Sequence, residues 1–377
     1  MQKNPENPQL LDERQALQTG ELEQAAQIRE RYYQNLKREK TAELAKEAFT
    51  AAERWQSAFN MSKALELYQE AAGFQPNYPA AWRNIGSLAR KLGNSQLALE
   101  AAQNLQKQLD PETDAWWLAI ALADEGDALN ALGSNQTALE KYRQAQTLFS
   151  RLAQAEPGDW NLQRDLSVSY ERVGDMHLKS GDSGAALKAY QDGLAIAKKL
   201  AELDPKHTEW QRDLSVSYER VGGMHLKSGD NGAALKAYQD GLAIAKKLAE
   251  LDPKHTEWQR DLSVSHNKVG DMHLQSGDNG AALKAYQDGL AIAKKLAELD
   301  PDMVEWQTDL VVSYFKLAQI LEDRQKELLT DALAILYRLH RENRLDHEKQ
   351  QWIGALEEML QTVSSSRNEP PAEPAKP

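Results

Sequence analysis

The chain contains 377 residues, of which 41% are hydrophobic and 27% charged, and it carries a formal net charge of -12 at pH 7. This acidic balance argues against binding to a nucleic-acid backbone, which requires a concentrated basic face. The sequence has no cysteine, which excludes disulfides, thiolate nucleophiles and cysteine-based zinc sites. No secretory leader pattern opens the chain and no run of about 18 apolar residues occurs. We therefore expect a cytoplasmic protein that does not contact a membrane.

Residues 1–44 have the pattern expected of a degenerate helical cap. Leu10, Leu11 and Leu17 precede Gly20, and a helix is predicted from about residue 21 to about residue 40. A cap covers the exposed apolar face of the first unit in a repeat array and keeps its own outer side polar. We expect this segment to shield the residues that follow rather than to form a separate domain.

The next segment predicts helical hairpins of two lengths. Residues 45–112 fit two units of 34 residues, the second of which contains Trp82, Gly86 and Pro111 in order. Residues 113–164 fit a longer, diverged unit, because its small, aromatic and proline positions recur in the unit that follows. The matching positions, 48 residues apart, are Gly126 and Gly174, Tyr142 and Tyr190, and Pro157 and Pro205.

Residues 165–212, 213–260 and 261–308 are three consecutive copies of one 48-residue unit. A unit with no sizeable core of its own can bury its apolar face only against its neighbours, so the copies are predicted to stack. The near-identity of the copies indicates recent duplication and does not by itself locate a binding site. The first two copies differ at only two positions, Asp175/Gly223 and Ser183/Asn231.

Each copy is predicted to contribute a helical hairpin. A helix from Thr208 to about Lys227 is indicated by apolar spacings of four, four and three residues at Trp210, Leu214, Tyr218 and Val221. Thr208, followed three residues later by a glutamine, fits a capping box. Gly229 can adopt the positive φ that ends this helix, and Asp230 can cap the next one, which stops before Pro253.

One run of residues in the first copy follows a known signature. The tetratricopeptide signature is W-x2-L-G-x2-Y, then A-x3-F, then P. The residues in corresponding order are Tyr170, Val173, Gly174 and His177, then Ala186 and Tyr190, then Pro205. The chain thus resembles the tetratricopeptide-repeat family from about residue 45 to about residue 322, although its long units have 48 residues rather than 34.

The resemblance implies an all-α fold, a right-handed solenoid of stacked helical hairpins that forms a tetratricopeptide-like superhelix. Long units of this kind also resemble bacterial arrays found beside caspase-like or nucleotide-binding effectors. After the repeats, residues 309–363 are predicted to hold a half-unit and capping helices at about 326–341 and 346–363. Residues 364–377 are rich in proline and nearly devoid of apolar residues, which predicts a disordered tail.

Comparison of the three copies argues against the two catalytic or metal-binding patterns that the repeats contain. Ser183 lies in a Gly-Asp-Ser-Gly string typical of the nucleophile in trypsin-like proteases, but the equivalent residues are Asn231 and Asn279. A turn between two helices explains all three versions. Histidine recurs every 48 residues from His177, yet hairpins about 10 Å apart cannot place successive histidines on one metal ion. We expect no catalytic residue, no metal and no cofactor.

In tetratricopeptide arrays the first helix of each hairpin lines a concave surface, and a peptide or partner helix lies across it. By this resemblance we predict partner-binding residues on the first helices, with Arg83, Arg90 and Lys91 contacting an acidic segment of the partner. The family's clamp for two carboxylates is not expected, since Glu171 and Glu219 stand where it needs cations. The full predicted set is Arg83, Asn84, Arg90, Lys91, Glu171, Asp175, Lys179, Glu219, Lys227, Asn267, Asp271 and Gln275.

The function most compatible with these features is a non-enzymatic scaffold or adaptor that binds a protein or peptide. One alternative is the sensor arm of a bacterial signalling or defence effector whose protease or nuclease is supplied elsewhere. An enzyme would need a site built from His340, His347 and nearby acids, for which no motif exists. The identity of the partner and the oligomeric state are left open by the sequence.

Overall fold

The computed structural model describes residues 8–36 and 41–366. It divides into two compact units. Unit 1 comprises Met1–Gly193 with Leu299–Met303, and unit 2 comprises Leu194–Glu298 with Val304–Pro377. Within the described ranges the secondary structure consists of helices without strands.

The helices of unit 1 follow one another with short connections. They are α1 (Pro8–Thr19), α2 (Leu22–Leu36), α3 (Thr41–Ser57), α4 (Met61–Phe74), α5 (Pro79–Lys91), α6 (Ser95–Lys107), α7 (Ala115–Ala131), α8 (Asn135–Ala155) and α9 (Trp160–Lys179). Helix α10 (Ser183–Leu203) contributes its first half to unit 1 and its second half to unit 2.

Unit 2 continues in the same manner. Its helices are α11 (Thr208–Lys227), α12 (Asn231–Leu251), α13 (Thr256–Gln275), α14 (Asn279–Leu299), α15 (Val304–Ala318), α16 (Gln325–Arg341) and α17 (His347–Ser366). In each unit helices that are consecutive in the chain pack against each other, for example α7 on α8 and α11 on α12. This packing confirms the predicted all-α class of stacked helical hairpins.

The hairpin turns are formed as the sequence predicts. Gly229 has a φ of 83°, which glycine adopts without steric cost. The side chain of Asp230 caps α12 by accepting a hydrogen bond from the backbone N–H of Ala233 at 3.0 Å. The same arrangement at Gly181 places Ser183 at the start of α10, where Asp182 is the capping residue. The Gly-Asp-Ser-Gly string is therefore a turn with its cap.

The predicted capping box at Thr208 is wrong by one residue. The residue that caps α11 is His207, whose Nδ1 accepts from the backbone N–H of Trp210 at 3.4 Å. The imidazole ring also stacks on the indole of Trp210, with the centroids 4.0 Å apart. The stack holds the imidazole in the capping position. The usual preference for Ser, Thr, Asp or Asn as the residue before a helix does not predict a histidine there.

Tyrosine rings pack directly on glycines where the two helices of a hairpin meet. A Cβ atom placed on Gly270 would lie 2.5 Å from a ring carbon of Tyr286, and one on Gly174 would lie 2.6 Å from Tyr190. Farther along the second helix, the hydroxyl of Ser215 donates to the backbone carbonyl of Gly241 at 2.8 Å. Small residues therefore allow the helices of each hairpin to approach closely, as the alternation of large and small residues predicts.

The two ends extend the helical packing. In unit 1 the buried carboxylate of Glu13 on α1 pairs with Arg29 at 2.5 Å and with Arg54 at 2.6 Å. In unit 2, α16 and α17 pack through a leucine-rich core that includes Leu336 and Leu356. Helix α17 continues to Ser366, so three residues of the predicted tail are helical, and residues 367–377 lie outside the described residues.

Candidate partner-binding surface

The first helices of successive hairpins lie side by side. Contacts join α5 to α7 within unit 1, and α11 to α13 and α13 to α15 within unit 2. Several of the side chains along these contacts are charged. They form pairs that connect each first helix to the next, and we call these pairs rungs.

The most developed rung in unit 1 centres on Asp127 of α7. One carboxylate oxygen accepts from the Tyr142 hydroxyl at 2.7 Å and from Nε of Arg172 at 3.2 Å. The other accepts from Arg172 at 3.3 Å and also pairs with Arg90 of α5. Burial alone would raise the pKa of Asp127, but Arg172 and Arg90 more than offset it and hold that pKa below its usual value. One carboxylate thus connects α5, α7, α8 and α9.

Asp124, one turn earlier on α7, has the opposite electrostatic balance. Burial and the neighbouring Asp127 raise the pKa of Asp124 to about 6, although Arg172, Arg90 and Arg83 act to lower it. Asp124 also lines a cavity of about 10 Å³ beside Gly86 and Arg90, which is about the volume that one water molecule requires. At neutral pH its charge is therefore incompletely compensated.

We predict that Asp124→Asn raises stability at pH 8 by about 1 to 2 kcal/mol, a value reduced from the full linkage because Asp124 is only partly buried. An acid whose folded pKa exceeds its unfolded pKa destabilises the native state once it ionises, so the gain should vanish as the pH falls from 6 to 4. Urea unfolding of both proteins at pH 4 and pH 8 measures this. A loss of stability at pH 8 would mean that the arginines favour the Asp124 carboxylate.

Unit 2 repeats the rungs with a regular register. Arg212 pairs with Asp261 at 2.5 Å, and Arg260 pairs with Asp309 at 2.5 Å, each 49 residues farther along the chain. A second register of 45 residues joins Asp271 to Lys316 at 2.8 Å. The 48-residue unit places equivalent residues on adjacent first helices, and the packing offset of one to three residues determines which of them meet.

Similarity to known proteins is visible in structure and not in sequence. No protein-family model matches the sequence, and no curated protein matches it significantly. A Rap protein in complex with Competence and Sporulation Factor superposes with a TM-score of 0.53 and 14% identity, over 95% of this chain and 97% of that chain. The chain has a tetratricopeptide-type fold.

Two further solved structures match less well. A chain of the APC/C hetero-tetramer Cut9-Hcn1 gives a TM-score of 0.48 at 14% identity, over 78% of this chain and 48% of that one. BtubC (BKLC) from P. vanneervenii gives 0.44 at 15% identity, over 76% and 95% respectively. In the part of the chain that the structure describes, no helix has both the length and the apolar character needed to cross a bilayer.

The residues predicted to contact a partner differ in burial. Asn267 is buried, with 7% of its surface exposed, and its amide donates to Ser313 of α15 at 3.4 Å. Its side chain therefore lies between two helices of the array instead of facing outward. The exposed members of the set are Arg83, Lys179, Lys227 and Gln275. The half-buried members are Asn84, Arg90, Lys91, Glu171, Asp175, Glu219 and Asp271.

Several of these predicted residues are engaged within the protein. Arg90 is held by Asp127, and Asp175 accepts from the Tyr190 hydroxyl at 2.6 Å. Lys179 donates to Asn130 at 3.0 Å. Contacts of this kind join α5, α7 and α9 of unit 1. Part of the charge predicted to bind a partner is therefore already paired within the protein.

The residues that sequence reasoning missed lie mostly on α7 and on the arginine side of the rungs. They are Asp124, Asp127, Arg172, Arg212 and Arg260. A signal for Asp127 and Arg172 exists in the sequence, because aspartate recurs at equivalent positions in three of the long units and an arginine or lysine follows 45 residues later.

The first histidine of the repeated series lies beside an arginine and an aspartate. His177 lies 3.3 Å from a guanidinium nitrogen of Arg143 and 3.9 Å from a carboxylate oxygen of Asp182. Over residues 8–36 and 41–366 no group of three or more histidine, cysteine, aspartate or glutamate side chains is placed to hold a metal ion.

Proposed function

We propose that this chain is a non-enzymatic scaffold or adaptor that binds a protein or peptide partner on the surface formed by the first helices. The observation that carries this proposal is the lateral packing of those helices, which presents rows of polar side chains in register. A segment lying across such rows can contact several hairpins at once. Charge complementarity would then select the partner and orient it.

We further propose that an acidic segment of the partner meets the basic part of α5. Arg83 is exposed there and its guanidinium lies 5.9 Å from the centre of the Trp116 ring, a position that keeps the charge at the surface. Arg90 contributes less, since it already pairs with Asp127. Arg83 is therefore the residue of the predicted basic group that best reports on partner binding.

Chemical cross-linking of the full chain in its native lysate, followed by mass spectrometry, would identify the partner. Cross-links from the partner to α5, α7, α9, α11 or α13 are expected. Cross-links confined to second helices such as α8 and α12 would contradict the proposed surface.

With the partner in hand, Arg83→Glu is expected to weaken binding roughly three- to tenfold at low salt, with a smaller effect at high salt, because the contact is an exposed charge pair. Lys188→Glu is the matched control. Lys188 is an exposed cation on the second helix α10, where it pairs with Asp192, and its reversal should change the affinity less than twofold. Equal effects of the two reversals, measured by titration calorimetry, would argue against a contact at Arg83.

A further inference from the structure

One first helix of the array lacks the aspartate that its equivalents carry. In three hairpins an aspartate on the first helix accepts a hydrogen bond from the hydroxyl of a tyrosine 15 residues later. The remaining hairpin, formed by α11 and α12, has Gly223 at this position and keeps the tyrosine, Tyr238. The three complete pairs are Asp127 with Tyr142 at 2.7 Å, Asp175 with Tyr190 at 2.6 Å, and Asp271 with Tyr286 at 2.6 Å.

The same substitution removes the acceptor of a cation. Arg172 binds Asp127, and Lys316 binds Asp271, in each case from the next first helix and 45 residues along the chain. The residue 45 positions after Gly223 is Lys268. Lys268 is exposed, and its charge acts on Glu219: burial raises the pKa of Glu219, and Lys268 acts to lower it. The Tyr238 hydroxyl thus faces Gly223, where no carboxylate is attached. Lys268 has the sequence position from which Arg172 and Lys316 reach their aspartates.

The position is also open. A Cβ atom placed on Gly223 would meet a single neighbour within 4 Å, the Tyr238 hydroxyl at 3.5 Å, which is an ordinary contact distance. At the adjacent Gly222, by comparison, a Cβ would lie 3.0 Å from the Tyr238 ring and 3.3 Å from Ala237. Packing therefore requires a glycine at 222 and does not require one at 223. The ring of Tyr238 is buried, with 3% of the residue exposed, so its hydroxyl is held in a fixed place.

We propose that the side-chain carboxylate of an aspartate or glutamate in the partner occupies the place of the missing aspartate, accepting a hydrogen bond from Tyr238 and pairing with Lys268. This inference rests on the proposed function, because it assigns a specific docking point for the acidic segment. The ligand chemistry is that of the carboxylates in the other three hairpins, delivered here from outside the chain. All the residues of this site belong to unit 2.

Two carboxylates near the site oppose an incoming anion. Burial, together with Asp271 and Glu219, raises the pKa of Tyr238 to about 12, which also keeps its hydroxyl a donor at neutral pH. Each of these acids already has a partner, since Lys316 pairs with Asp271 and Ser265 donates to Glu219. Lys268 also acts on Glu219 electrostatically, so the incoming carboxylate has to share this cation. The repulsion lowers the affinity without removing the two donors. We therefore expect the site to contribute about a tenfold gain in affinity, and one that is sensitive to salt.

The test uses the full chain and a capped, fluorescein-labelled peptide of five Glu-Gly repeats, with a Gln-Gly peptide as the neutral probe. Fluorescence anisotropy at low salt should show that Gly223→Asp binds the acidic peptide about tenfold more weakly than the unaltered chain. Gly223→Asp should also unfold at a higher temperature, because it restores the contacts of the other hairpins. Tyr238→Phe and Lys268→Gln should each weaken binding several-fold.

Two control variants show whether Gly223→Asp weakens binding by filling the site or only by adding a negative charge to the chain. Gly223→Ala leaves both donors and most of the space, and Asn231→Asp adds one negative charge at the start of α12, away from the site; both should stay within twofold of the unaltered chain. If Gly223→Asp and Asn231→Asp weaken binding equally, or if the acidic peptide binds no better than the neutral one, the assignment is overturned.

The source of the carboxylate and the wider function are tested separately. Sodium propionate should displace the peptide only at a much higher carboxylate concentration; displacement at equal concentration would make the occupant a free carboxylate and overturn the assignment to a partner side chain. The proposed scaffold function is judged by the cross-linked partner and by Arg83→Glu in unit 1. Its failure is therefore distinguishable from failure at Gly223.

Discussion

Replacing Asp127 with alanine is expected to lower the free energy of unfolding by about 3 kcal/mol, near the lower end of the cost of breaking a buried ion pair. The Asp127 side chain is 11% exposed and accepts from Tyr142, Arg172 and Arg90. Its removal withdraws the acceptor that these three donors share. The lower end applies because Arg172 and Arg90 are 28% and 38% exposed, so water can solvate part of the released charge.

Urea unfolding at pH 7 measures this loss, and Asp192→Ala provides the control. Asp192 forms an exposed pair with Lys188 on a single helix, and its loss should cost less than about 0.5 kcal/mol. If Asp127→Ala costs no more than Asp192→Ala, the Asp127 rung does not stabilise the packing of α5, α7 and α9.

The pH dependence of the Asp127 effect has a definite sign. Burial opposes ionisation, but the two arginines hold the folded pKa of Asp127 below its usual value. The stabilisation is therefore fully present above the unfolded pKa of about 3.9 and is lost as the pH falls through the lower folded pKa. The difference between the unaltered chain and Asp127→Ala should shrink below about pH 4, whereas the Asp124→Asn difference disappears between pH 6 and pH 4.

Helix ends could be predicted because their causes are local. Pro205 and the Ser-Gly-Asp turn after Lys227 bracket a helix that the structure places at Thr208–Lys227, and Gly229 has the positive φ that its position requires. The helices predicted at about 326–341 and 346–363 correspond to Gln325–Arg341 and His347–Ser366. Each of these boundaries depends on a few adjacent residues, and the repeats supply the same evidence several times.

The candidate surface could not be predicted to the same depth, since its residues are paired by packing. Arg90 is a basic residue on a first helix, as predicted, but only the structure shows that Asp127 holds it. The rungs depend on offsets of 45 and 49 residues, which follow from how far one first helix slides along the next. A repeat length of 48 residues does not specify that displacement.

The two positions at which the first two 48-residue copies differ have different structural consequences. Of the two differences between the first two copies, Ser183/Asn231 changes only the first residue of a second helix. Asp175/Gly223 removes an acceptor that the structure shows bound to a tyrosine in three other hairpins. The sequence alone does not show that the Tyr238 hydroxyl lies beside Gly223, so it could not indicate this consequence.

Gly270→Ala is expected to destabilise the protein by about 2 kcal/mol, within the range for overpacking a filled core. The added Cβ would lie 2.5 Å from one carbon of the Tyr286 ring and 2.6 Å from another. Tyr286 is fully buried, and its hydroxyl is fixed by Asp271 at 2.6 Å. The ring can move away only by losing this hydrogen bond and its core contacts, and that cost exceeds the helix-propensity gain of about 1 kcal/mol from replacing glycine.

The matched substitution Gly223→Ala should have the opposite sign. Gly223 also lies inside a first helix, but its added Cβ would meet only the Tyr238 hydroxyl, at 3.5 Å. The propensity gain is then not opposed, so this variant should be more stable by up to about 1 kcal/mol. Thermal and urea unfolding of both variants measure the difference. Destabilisation of similar size at the two positions would show that glycine is needed for the backbone of these helices and not for the tyrosine ring packed on Gly270.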